Sequence, residues 1–358
     1  MRTVQSKTIL FALLILAVFI GACQPPAAPA APAAVIDTPK STAEASAAPG
    51  ALVVYSGRNE NLVGPLIEQF KTATGIQVDV RYGDTAELAA TILEEGQNSP
   101  ADLFFGQDAG ALGALDKVGR FLPLPASILE QVDSRFRAQD GMWVGVSGRA
   151  RVFVYNTAEM TEADVPNSIW ELTDPKWQGK VGWAPTNGSF QSFVTALRVL
   201  EGDAKAAEWL AAMVANETQS YSNNTSILEA VGRGEIGLGL ANHYYLYQFI
   251  AEQGENFPAR NHHPTAGDAG SIINVAGVGI LDTVKNQPAA EQFVAFLLSK
   301  EAQEFFANET VEYPLIQGID VNPLLKPLAD INTPAIDLGD LADLQGTLEI
   351  LQESGALE

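Results

Sequence analysis

The stretch GEIGLGLANHYYLYQF, Gly234 to Phe249, crowds His243, Tyr244, Tyr245 and Tyr247 into five positions. Ile236 to Ala241 reads as a glycine-interrupted strand. Asn242 reads as the N-cap of a helix whose first turn holds Tyr244 and Tyr245. Two kinds of chemistry fit. Adjacent tyrosines can simply pack, one ring inward and its neighbour at the surface. Alternatively, both phenols ionise against a hard trivalent cation such as Fe3+, which displaces their protons well below the ordinary phenol pKa of about 10. Spacing alone leaves both open.

Other chemistries have less to stand on. The only cysteine is Cys23, and the only histidines are His243, His262 and His263. No Gly-x-Ser-x-Gly elbow, His-x-x-x-His or Cys-x-x-Cys spacing is present, so neither a hydrolase nor a zinc site is motivated. SGRNENLVG lacks the spacing of a phosphate loop, and GLGLAN is a lone glycine pair inside a strand. No catalytic residue is assigned. His262 and His263 fall in a Pro- and Gly-containing loop and read as surface residues. Trp143, Trp170, Trp177 and Trp183 read as packing.

The elements that must position these groups repeat one pattern: an apolar run, a short polar or glycine-containing turn, then an amphipathic helix. Leu52 to Tyr55 leads into the stripe Leu62, Val63, Leu66, Ile67 and Phe70, which Gly75 ends. Ile76, Val78 and Val80 alternate ahead of a helix over about 85–95. ADLFFGQDAGALGALDKVG, KVGWAPTNGSFQSFVTALRVLEG and the tyrosine segment repeat the theme. Alternating strands and helices imply an α/β fold with mostly parallel sheets. Two longer extended runs, Val144 to Thr157 and Ile273 to Leu281, suit crossings between two lobes, with a ligand cleft between them at the strand ends. Arg149 and Arg151, on the first crossing, read as hinge ion pairs or as anion contacts, with the structural role the simpler of the two. Residues 51–150 plus 275–325 are expected to form the N-lobe, and 151–274 plus 326–358 the C-lobe.

Residues 1–22 read as an export signal: Arg2 and Lys7, the apolar run Ile9 to Ile20, then Gly21-Ala22-Cys23. That run of 12 residues is shorter than the roughly 20 a membrane-spanning helix needs. Ile20-Gly21-Ala22-Cys23 resembles a bacterial lipobox, which implies a lipid on Cys23 and attachment to a membrane. Pro25 to Pro49 holds six prolines and ten alanines in 25 residues. It cannot bury enough apolar surface to offset its chain entropy, so 23–50 reads as a tether. The net charge of −22 disfavours nucleic acid, since nothing would neutralise phosphates.

Seven segments, in order, carry a resemblance: TGIQVDV, EEGQNSPADLFF, VSGRARVFVYNT, DPKWQGKVGW, PTNGSF, ANHYYLYQF and EYPL. From about Leu52 to Gln317 the chain resembles the ferric-iron-binding proteins, the substrate-binding components of bacterial ABC-type iron importers. The resemblance implies a two-lobed periplasmic-binding-protein fold of class II type, with a hinge of extended crossings. It implies Fe3+ as cargo with a synergistic anion, phosphate or carbonate, and an ABC permease with its ATPase as partners. It further implies a monomer, an extracytoplasmic location and no enzymatic activity. Paired tyrosines are the family's iron ligands, which maps them onto Tyr244 and Tyr245. The anion loop maps onto Asn187, Gly188 and Ser189, with Asn224 and Asn242 as further contacts. A helix start offers free N–H groups to an anion, which agrees. Many members supply a histidine where this chain has Asn59, and some a glutamate where it has Gln107. These two neutral residues are the expected metal-side groups of the first lobe, with Arg58 beside them on the anion. Asp108 is a substitute carboxylate or a helix cap. The rival readings are a binding protein for an organic cation, sugar phosphate or other anion, and a lipoprotein hydrolase.

Overall fold

Parallel strand-then-helix units meet two long antiparallel strands. The computed structural model describes residues 51–357; the readings of the export signal, Cys23 and the tether lie outside them. The first strands are β1 (Leu52–Ser56), β2 (Val78–Tyr82), β3 (Leu103–Gly106) and β4 (Phe121–Leu122), with helices α1 (Glu60–Thr74), α2 (Thr85–Glu95), α3 (Ala109–Lys117) and α4 (Ala126–Leu129). The long β5 (Val144–Asn156) follows. Next come β6 (Val181–Trp183), α5 (Gly188–Glu201), α6 (Asp203–Ala215), β7 (Gln219–Ser220), α7 (Asn224–Arg233), β8 (Leu238–Asn242), α8 (Tyr244–Gln253) and β9 (Ala259–His262). Then β10 (Ile273–Leu281) leads to α9 (Gln287–Leu297), α10 (Lys300–Asn308), β11 (Tyr313–Pro314) and α11 (Leu344–Glu353).

Strand order runs β2-β1-β3-β10-β5-β8-β6-β7. β1 is parallel to β2 and β3, and β6 is parallel to β7 and β8. The crossing strands join these groups in antiparallel fashion. The first half of β5 pairs with β10, from Val144↔Val278 to Ala150↔Ile273. Its second half pairs with β8, from Arg151↔Asn242 to Tyr155↔Leu238, and with β9. One continuous strand therefore serves two groups of elements, as the extended run in the sequence suggested.

The apolar residues segregate accordingly. One cluster gathers β1, β3, α1 to α3, α9, α10, β10 and β5 as far as Ala150. Beyond that residue the alternation of a strand splits β5 between two further clusters. Phe153 and Tyr155 join Trp183, Phe193 and Trp209, whereas Val152 and Val154 join Ile227, Val231 and Phe249. Trp143, Trp177 and Trp183 are buried, and Trp170 packs against the second cluster.

Residues near the C-terminus touch two clusters. Leu338 and Leu341 belong to the first. Their short 3-10 turn, Leu338–Ala342, lies on α3, where a Cβ at Gly113 would come within 2.9 Å of the Gly339 carbonyl oxygen. Leu351 and Ala356 belong to the second cluster. There Thr347 and Thr195 of α5 share a hydrogen bond of 2.7 Å, and Arg198 of α5 donates to Asp343 at 2.8 Å.

Candidate metal centre

The turns after β1, β2, β3 and β6 open on one cleft of about 700 Å³. Each turn ends in an Asn or Asp that caps the following helix: Asn59, Asp84, Asp108 and Asn187 accept from backbone N–H groups two residues on. Short polar caps at the carboxyl ends of parallel strands thus line the cleft with oxygen and amide groups. Arg58, Asn59, Gln107, Asp108, Asn187, Gly188, Ser189 and Tyr245 all border it.

The tyrosine pair starts α8. Its position is set by His243, which is fully buried. The His243 backbone N–H donates to Ala150 at 3.1 Å, and its Nδ1 accepts from the Ala150 N–H at 3.1 Å. Nδ1 is therefore unprotonated, so Nε2 carries the proton and donates to the Val311 carbonyl at 2.9 Å. The Asn261 side chain donates to the His243 carbonyl at 2.8 Å. The residue before the pair is thus held by β5, by the strand β9 and by the segment before β11. Asn242 is not the N-cap the sequence suggested. Pairing with Arg151 keeps it inside β8, and His243 takes the cap position without a side-chain capping bond.

The rings of Tyr244 and Tyr245 stack with centroids 4.4 Å apart and planes 27° apart. Tyr244 is 3% exposed, while Tyr245 is half-buried and faces the cleft. Neither phenol oxygen makes a hydrogen bond among the described residues. Burial holds the Tyr244 phenol well above its ordinary range, and the neighbouring Tyr245 adds to this, while Arg149 and Arg58 oppose it. The Tyr244 phenol is therefore protonated until a cation arrives.

The cationic surroundings are buried too. Arg58 is 1% exposed and ion-pairs with Glu312, which also accepts from Ser147 Oγ. Burial works against the Arg58 charge, but the Glu312 carboxylate leads the effects that outweigh it and raise its pKa. Burial likewise pushes Glu312 up, and Arg58 and Arg149 together pull it below the usual carboxylate range.

Arg149 and Arg151 correct the hinge-pair reading. Both are 2% exposed, and neither forms an ion pair among the described residues. Nε, Nη1 and Nη2 of Arg149 have no partner, nor do Nε and Nη1 of Arg151. Arg151 Nη2 donates to the Leu240 carbonyl at 3.2 Å. Two arginines at i and i+2 of an otherwise apolar run were the available signal, since that spacing puts them on one face of a strand.

The other named residues divide. Asn187 Oδ1 accepts from Ser189 N–H, Ser189 Oγ and Asn224 Nδ2, at 3.1, 2.6 and 3.3 Å. Asn187, Ser189 and Asn224 are therefore tied to one another. Asn242 lines a separate small chamber with Arg149 and Arg151. Asn59 is exposed and Gln107 half-buried, both on the cleft wall. Asp108 uses one oxygen as a cap, and burial raises its carboxyl against the pull of Arg149. His262 is not a surface group, and His263 is half-buried. His262 is 7% exposed, with Nε2 3.1 Å from Asn167 Oδ1, and the Nδ1 of His263 is buried.

Among the described residues no three His, Cys, Asp or Glu side chains come together as a metal cage.

Known proteins resemble this chain in sequence and fold. The family model described as bacterial extracellular solute-binding protein matches residues 65–326. The Fe(3+)-binding periplasmic protein of Serratia marcescens is 34% identical over 88% of this chain and 93% of its own. The major ferric iron-binding protein of Neisseria meningitidis is 33% identical over 85% of this chain and 92% of its own. Among solved structures, iron-bound HitA from Pseudomonas aeruginosa superposes with a TM-score of 0.81 at 34% identity, covering 85% of this chain and 99% of its own.

Proposed function

Because this chain belongs to the bacterial extracellular solute-binding proteins, among ferric-iron-binding relatives and outside the enzymes, we propose that it captures Fe3+ through Tyr244 and Tyr245 with a synergistic anion and delivers it to an ABC importer. The observation that carries this reading is the stacked tyrosine pair, whose oxygens are free of hydrogen bonds among the described residues, with Tyr245 at the edge of a polar cleft and Tyr244 buried behind it. A trivalent ion pays the cost of removing both phenol protons, because phenolate oxygen is a hard donor. Two phenolates leave one unit of its charge uncompensated, and a small anion supplies the remainder. Arg58 and Arg149 steady the new negative charge on Tyr244.

In the same reading, residues 51–150 plus 275–325 and residues 151–274 close over the ion about the crossings in β5 and β10, while residues 326–358, expected with the second lobe, pack on both clusters. Asn59 and Gln107 approach from the first lobe as neutral donors. Closure follows from differential affinity, since only the closed form lets both walls touch the cargo. The closed monomer then docks on a permease served by its ATPase, held near it by a lipid on Cys23.

The test is optical. Iron-free protein loaded with ferric ions should gain a visible phenolate-to-iron charge-transfer band and retain about one iron per chain. Tyr244→Phe and Tyr245→Phe should each weaken the band, and the double variant should abolish it. Loaded protein that stays colourless and loses its iron on desalting would remove the reading. A second reading, capture of an organic anion or sugar phosphate, is favoured by the neutral Asn59 and Gln107. It predicts ligand-dependent thermal stabilisation without metal.

A further inference from the structure

Val311 holds a backbone conformation that its own side chain disfavours. Among the described residues only Glu217 and Val311 are non-glycine residues at positive φ, 53° in each. For a β-branched residue this is a genuine outlier, kept only where surrounding contacts over-determine it. Val311 follows α10, at a place where helices often end on glycine. The Glu312 N–H donates back to the Phe306 carbonyl at 2.9 Å, and Thr310 Oγ1 donates to the same carbonyl at 3.0 Å. Glycine would close this turn without strain. Valine instead packs its side chain against the first apolar cluster, which fixes the direction of its carbonyl. That carbonyl accepts from His243 Nε2 at 2.9 Å, and the next residue, Glu312, turns its carboxylate onto Arg58 and Ser147. Arg58 lines the cleft from the turn after β1, and its charge acts on the Tyr244 phenol. His243 directly precedes the tyrosine pair. Two consecutive residues, 311 and 312, therefore each grip one half of the site.

We propose that His243 is a positioning residue for ferric capture: through the Val311 carbonyl it bolts the start of α8 to the segment that holds Arg58, so that the phenols and the guanidinium keep one spacing. This deepens the ferric-capture reading and rests on it for what the phenols hold. The remaining contacts of His243 serve the same end. Its Nδ1 and its backbone N–H both engage Ala150, the last residue of β5 in the first cluster. Its ring lies 4.8 Å from the Tyr313 ring and 5.8 Å from the Tyr244 ring, centroid to centroid. An imidazole bonded at both nitrogens has one tautomer and one orientation. Leucine at this position would fill the space but bond neither Ala150 nor Val311. Tyr244 would then be oriented by ring stacking alone, which tolerates sliding and tilting. A glutamine amide, by contrast, still offers an N–H to the Val311 carbonyl.

The experiment compares wild-type protein with His243→Leu and His243→Gln, each checked for folding by far-ultraviolet circular dichroism. Without iron, nitration by tetranitromethane is mapped by peptide mass spectrometry. Tyr244, 3% exposed, should be protected in wild type and in His243→Gln. In His243→Leu it should react at least about threefold faster. After ferric loading, His243→Leu should shift the charge-transfer band and speed iron release to EDTA by about threefold to tenfold, the factor expected for one lost hydrogen bond. His243→Gln should restore both. A lowered melting temperature in His243→Leu with wild-type nitration and release overturns the proposal, since the ring would then only fill space. So does a folded His243→Gln that behaves like His243→Leu, because the Val311 bond would then carry nothing. Should His243→Leu fail to fold, Val311→Gly decides. It relieves the strain and should raise the melting temperature, yet it frees the carbonyl and should speed release by about twofold or more. A stabilised Val311→Gly with unchanged nitration and release overturns the proposal. Nitration that follows this pattern in a protein with no ferric band keeps the positioning role and removes the iron reading. A ferric band indifferent to every variant does the reverse.

Discussion

Glu312 shows how little of the site's charge balance is local. It sits fully buried between Arg58 and Ser147, and Arg58 lies 254 positions away in the chain. Removing one member of such a pair strands the other without hydration. Glu312→Gln should therefore destabilise the fold by about 3–5 kcal/mol. A double variant, Arg58→Met with Glu312→Leu, should recover most of that loss, as seen in the denaturation midpoints. The tyrosine pair was legible because two phenols stood together at a strand-to-helix junction. The role of Glu312 was not, since EYPL is a short motif whose partner is set by tertiary contact. Arg149 and Arg151 were visible as residues, but their lack of ion-pair partners among the described residues is a property of the fold.

Helix starts were legible wherever the cap was the only demand on the residue. Asn59, Asp84, Asp108 and Asn187 cap as their type suggests. Asn242 does not, because the pairing of β5 with β8 claims it for the strand and passes the helix start to His243. Element packing can override propensity in the other direction as well. Alanine normally stabilises a helix interior by about 1 kcal/mol over glycine. At Gly113 the new methyl would meet the Gly339 carbonyl at 2.9 Å and the Ala342 side chain at 3.1 Å. Gly113→Ala should thus lower the melting temperature and raise protease sensitivity near residues 337–343. A rise in melting temperature would show that the contact can yield.

At the scale of the whole fold, neutral histidines shielded from water make the protein sensitive to acid. Burial lowers the pKa of His243 from 6.5 to about 4 and that of His263 to about 3. The unfolded chain takes up these protons near pH 6.5, whereas the folded chain excludes them. Their contribution is complete above pH 6.5 and is lost as pH falls towards the folded values. For fully buried His243 the loss is about 3 kcal/mol between pH 6.5 and 4. Denaturant titrations at those two pH values should show it, and His243→Gln should flatten the slope. The alternation of strands and helices was readable at this scale because periodicity is a local property. The antiparallel joining of the parallel groups was readable only as two unusually long extended runs.

Leu338 and Leu341 complete one apolar cluster, while Leu351 and Ala356 complete another. A chain emerging N-terminus first from a ribosome or a translocation pore can finish neither interior until this late segment is free. Both interiors wait on the same late stretch, residues 338–356.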